Sequence, residues 1–170
     1  MGDYKFLKND IKDLYLNCNK AFSNDNMEVI ANEVINKYIE CFDNQAWVDG
    51  TPWEKSQKDR GATLVDSGVL RNSIRLESTT KTNFTIISDT EYSEIHNEGG
   101  VIYITPEMRK YFWFMYSKTK DDKWKGMALT TKSVIEMPKR QFMGEDDSIN
   151  DLIEQELWRI LDEKGTTYVK

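Results

Sequence analysis

Histidine occurs once in this 170-residue chain, at His96, and cysteine only twice, at Cys18 and Cys41. A zinc site built on nitrogen and sulfur ligands needs more of both, and a secreted disulfide scaffold needs several pairs. Neither class fits, and the cysteines read as buried thiols in a reducing cell. No apolar run approaches the ~20 residues that cross a bilayer. The opening Met-Gly-Asp-Tyr-Lys-Phe lacks the apolar core of a signal peptide, and Phe6 breaks the myristoylation pattern that Gly2 would begin. Cytosolic synthesis without a membrane partner is the expectation. Glycine-rich phosphate loops, paired-cysteine sites and heptad runs are missing too. So is the basic stripe with which duplex-binding proteins displace counterions, which argues against direct nucleic-acid binding.

What is present describes an ordinary folded protein. Hydrophobic residues make up 39%, aromatic residues 12% and charged residues 31%, far from the composition of disordered chains. The length suits a single domain with one core over 1–170. The net charge of −6 is unevenly placed. Residues 145–163 carry eight acids against Arg159, a local charge of −7.

Periodicity then divides the chain. Tyr4, Leu7, Ile11 and Leu14 predict a first helix over 3–17, and Met27, Ile30, Val34, Tyr38 and Phe42 a longer one over 26–43, opened by an Asp25/Glu28 capping box. Residues 44–66 read as a long loop held at Trp47 and Trp53, docked on the core or on a neighbour. Asp66-Ser67 can cap a short helix carrying Val69, Leu70 and Ile74, and a β-hairpin follows over 75–80 and 84–88. Beyond residue 100, a strand at 101–104 leads to a helix start at Thr105-Pro106. Tyr111, Phe112, Trp113, Phe114 and Tyr116 make this helix apolar nearly all round. It is either buried in the protomer or a surface between subunits. Residues 117–131, rich in lysine and containing Gly126, read as a mobile tip of a 105–131 excursion. A strand at 134–137 and a C-terminal helix over 148–163, with Ile149, Leu152, Ile153, Leu157 and Ile160 on one face, complete the 67–142 core and its cover.

The chain turns on Tyr92-Ser93-Glu94-Ile95-His96-Asn97-Glu98-Gly99-Gly100. Its glycines enter positive φ without steric cost, so a corner before a strand is the prediction. Glu94 and Glu98 beside His96 invite a metal or acid-base reading, a small hydrolase or metal-dependent enzyme centred on His96. The alternative is a hydrogen-bonded structural histidine, favoured by the lack of a second nitrogen ligand or a nucleophile. No catalytic, metal or cofactor residue is therefore assigned. Arg71 and Arg75 could meet the acidic C-terminal helix of this or a neighbouring chain, or stay solvated.

One ordered set of segments resembles a known family. Trp53 is followed by Gly68-Val69-Leu70 with Ser73-Ile74, then by the Tyr92, Ile95, His96, Gly99 and Gly100 corner. Last comes Met137-Pro138-Lys139-Arg140-Gln141-Phe142 before the final helix. Over about residues 45–163 this is similar to the phage virion morphogenesis, or tail completion, family. Ser93, Lys139 and the aromatic excursion depart from its pattern. The resemblance implies an α+β fold, a small, mostly antiparallel sheet packed by N- and C-terminal helices. It also implies a non-enzymatic structural protein of a tailed phage or prophage, needing no cofactor or small-molecule substrate. Such a protein would be assembled in the bacterial cytoplasm and incorporated in the virion at the tail or head-tail junction. Its partners would be itself, as a ring-like oligomer, and other tail or neck proteins.

Overall fold

A computed structural model describes residues 22–56 and 62–165. The predicted 3–17 helix and Cys18 lie outside them. The class is α+β, and the contacts separate two compact units. One comprises the chain up to Ser93 and from Gln141 onward, the other Glu94–Arg140.

In the first unit, helix α1 (Asn24–Asn44) buries Met27, Ile30, Ala31, Val34, Tyr38, Cys41 and Phe42, the face that the 3.6-residue period marks. Its cap is Ser23, whose side chain accepts from the Asn26 amide at 3.3 Å, instead of the expected Asp25/Glu28 box. It ends at Gln45, left-handed at φ 54°. The Gln45 amide bridges Phe42 O and both backbone groups of Thr63.

The loop after α1 docks on its own unit. Ala46 and Pro52 form a β-bridge. Trp47 stacks on Tyr38 at 6.1 Å and donates to Asp146 Oδ2 at 3.0 Å, while Trp53 meets Phe42 edge-on at 5.4 Å and donates to Gln141 O at 2.8 Å. Helix α2 (Val69–Asn72) has Gly68, φ 73°, at its cap position, and Ser67, one residue earlier, accepts from the Val69 amide at 3.5 Å. Strands β1 (Ile74–Thr79) and β2 (Phe84–Ser88) pair antiparallel with a bulge between Leu76 and Ser78. Ile74, expected on the short helix, thus opens the first strand.

Helix α6 (Asp147–Gly165) closes this unit. Ile149 joins Val34, Phe42, Trp53, Leu70, Ile74 and Phe142 in one cluster, and Ile160 joins Met27 and Ile30 in another. The start of α6 therefore meets the end of α1. Its first turn is capped by Asp146, which accepts from the Ser148 amide at 2.9 Å. That hydrogen bond holds the Asp146 carboxyl below the usual carboxylate range.

In the second unit, helix α3 (Ser93–Glu98) leads into β3 (Gly100–Tyr103), which pairs antiparallel with β4 (Val134–Met137). The strands of the described residues thus form two separate two-stranded ribbons. Between β3 and β4 runs helix α4 (Pro106–Thr119), capped by Thr105 with Pro106 in its first turn. The predicted mobile tip is instead a second helix, α5 (Asp122–Leu129), capped by Asp121 and carrying Gly126 in its interior. Lysine and one glycine read locally as loop; packing of Phe112 against Trp124, 6.1 Å between rings, overrides that propensity.

Candidate functional site

The residues singled out by sequence fall into three places. Trp53, Leu70, Ile74 and Phe142 converge in the first unit's core, all buried, with Phe142 5.2 Å from Phe42. Ser73 holds the short helix to the hairpin, its hydroxyl bonded to Leu70 O at 2.7 Å and lying 2.6 Å from Ser88 Oγ. Gly68 supplies the left-handed turn before α2. These are packing roles.

The second place is the corner. Gly99, immediately before β3, and Gly100, its first residue, both take positive φ, 71° and 149°. A Cβ on Gly99 would lie 2.7 Å from Lys139 N and 2.9 Å from Met137 O, and one on Gly100 2.8 Å from Ile95 Cδ1. The corner therefore presses the α3 turn directly against the backbone around Pro138. The Arg140 amide donates to His96 O at 2.9 Å and closes the same junction. Tyr92, at the opening of the motif, is 43% exposed.

His96 is half-buried, and burial first, then the positive Arg140 guanidinium, pulls its pKa below the ordinary value. Arg140 itself is buried. A histidine held neutral by these two causes suits packing at a junction better than binding an anion. Lys139 reaches Glu98 at 3.3 Å. Among the described residues no three of His, Cys, Asp and Glu gather so as to hold a metal ion. A shallow depression in the first unit, lined by Lys37, Glu40, Cys41 and Trp47, contains neither His96 nor its neighbours.

The third place is the α4–α5 hairpin. Phe112 is buried, an anchor of the hairpin's interior with Tyr111 and Trp124 around it. Tyr111, Trp113 and Phe114 are exposed, Tyr116 only partly so. Lysines lie over these rings, Lys118 5.6 Å from Phe114 and Lys120 and Lys125 5.9 and 5.8 Å from Tyr116. Of the candidate interface residues, Phe112 is therefore not at the surface.

Two features escaped the sequence reading. Arg109 fans its guanidinium over Ala128 O, Thr130 O and Lys132 O at 3.3, 2.5 and 3.0 Å, closing the end of α5 onto the first turns of α4. Only its position three residues into a capped helix hinted that it was more than a solvated charge. The other feature is Trp158, 59% exposed on α6. Arg71 and Arg75 pair with Asp43 and Asp89 instead of the acidic helix, Arg75 in a fork.

The residues singled out thus serve a core, a tight corner and an exposed aromatic hairpin. The chain belongs to the phage virion morphogenesis family, whose model matches residues 5–162. It therefore has a role in the assembly of a phage particle, in company with other phage proteins. No curated protein and no solved structure matches it. Among the described residues no helix is long and apolar enough to cross a membrane.

Proposed function

We propose that the protein is a non-enzymatic structural part that completes the tail or joins it to the head, acting as a ring-like homo-oligomer beside other tail or neck proteins. The observation that carries this is the family match over residues 5–162, which spans the segments that carry the resemblance. The use of those segments supports it. Their conspicuous residues fill the core or shape the corner, while Tyr111, Trp113 and Phe114 stand exposed together on the hairpin. A cluster of aromatic side chains left in water favours a protein partner.

The test is deletion of the gene in the phage or prophage, with particles counted by electron microscopy. Separate heads and unjoined tails, restored to whole particles by the intact gene, are the expected result. Normal infectious particles without the gene would reject the reading. So would a hydrolytic activity of the purified protein that a chelator or His96→Ala abolishes. Because His96 serves packing, His96→Ala should weaken assembly without ending it.

A further inference from the structure

Helix α6 carries a line of exposed side chains, Asp147, Asp151, Glu154, Trp158 and Asp162. Steps of three and four residues stack them on one helical face. Trp158 lies among these acids with 59% of its surface in water, its indole N–H donating to Glu154 at 3.2 Å. Arg159, the base on this stretch, is already held by Glu156 and Glu163 and leaves the line acidic. An exposed tryptophan ringed by charge is the composition of an interface anchor.

The same chain holds a complement. On α4, Phe114 and Trp113 are 54 and 43% exposed, and Tyr111, 52% exposed, lies beside Phe112 and against the Trp124 ring of α5. Residues 106–129 carry six bases against three acids, and Lys123 sits 4.9 Å over the Trp124 ring. One surface is aromatic and basic, the other acidic with a single tryptophan.

Resting on the homo-oligomer reading above, we propose that the aromatic and lysine-bearing face of the α4–α5 hairpin takes the Trp158-centred acidic strip of α6 from a second copy. Charge complementarity between two unlike surfaces of one chain selects that occupant. A nucleic acid strand would also suit lysines beside aromatic rings. It would face the repulsion of a chain at net −6, and it gives Trp158 no role. The contact is heterologous, so each copy offers one surface to each of two neighbours.

Sedimentation velocity of the full chain tests this. Self-association should weaken at least ~tenfold between low salt and ~0.5 M, as contacts between charged surfaces do. Trp158→Ser should weaken it comparably, with circular dichroism unchanged because the side chain is exposed. The paired reversals Lys118→Glu with Lys123→Glu, and Asp151→Lys with Glu154→Lys, should each give monomers. An equimolar mixture of the two reversed proteins should associate again, which unfolding of either could not produce. A wild-type monomer at all concentrations, association untouched by both reversals, or a mixture that stays monomeric would overturn the proposal. Fluorescence anisotropy showing that the hairpin lysines bind a single-stranded oligonucleotide, in a chain that does not self-associate, would also overturn it. Particle counts with the reversed genes separate the two readings. Joined particles built from a monomeric variant would reject this contact alone, whereas failure of the assembly reading appears only on deletion of the gene.

Discussion

Gly99 carries the tightest steric constraint of the described glycines. Its φ of 71° and the 2.7 Å and 2.9 Å distances from a Cβ to backbone atoms leave alanine no rotation that relieves the clash. Gly99→Ala should therefore cost more than ~1 kcal/mol, measured by denaturant unfolding, and a neutral result would refute the corner described here. His96 titrates in a defined direction. Burial and Arg140 depress its folded pKa, while the unfolded side chain keeps about 6.5. The unfolded state then binds more protons below that value. Stability should be full above about pH 6.5 and decline as the pH falls towards the folded pKa, a slope that His96→Gln should flatten. An imidazole titration by NMR with a midpoint above 6.5 would contradict it.

At the scale of elements, the Asp146 cap and the Arg109 guanidinium are half-buried joints. Asp146→Ala removes both the α6 cap and the acceptor of the Trp47 indole N–H. It should destabilise the first unit by about 1–2 kcal/mol and change Trp47 fluorescence. Gly126 points the other way. It lies inside α5, and an added Cβ would meet nothing within 4 Å, so Gly126→Ala should stabilise the hairpin by roughly 0.5–1 kcal/mol in hydrogen exchange. These joints explain what could be read beforehand. The faces of α1 and α6 follow from helical period, the β1–β2 hairpin from alternation, and the α4 start from Thr105-Pro106. Caps were harder, because Ser23 and Asp146 stand beside other residues able to cap, and only geometry selects among them. The reach of Arg109 to carbonyls about twenty positions on, and the docking of Trp47 and Trp53, depend on contacts distant in sequence. Helix α5 was hidden because its stability comes from the facing aromatic rings instead of its own residues.

For the molecule as a whole, Cys41 offers a reporter. Its thiol is 2% exposed, donates to Lys37 O, and has its pKa pushed up to about 12, chiefly by burial. Thiolate is the reactive form. In a Cys18→Ser background, a thiol reagent should label the folded chain only as fast as the first unit opens. Phe142→Ala, which empties a side chain 1% exposed between Phe42 and its neighbours, should cost about 3–5 kcal/mol and speed that labelling sharply. Rapid labelling of the unmodified core would show the cluster to be loosely held.

The 2.9 Å hydrogen bond between Arg140 N and His96 O brings the entry and exit of a 45-residue stretch to one point. A stretch whose ends are held together can change in length at a chain-entropy cost that rises only slowly. A chain in which residues 99–137 are replaced by a short glycine linker should still bury Phe42, Trp53 and Phe142. If so, adaptation to a different particle can proceed by trading the cassette while the frame that carries it is kept.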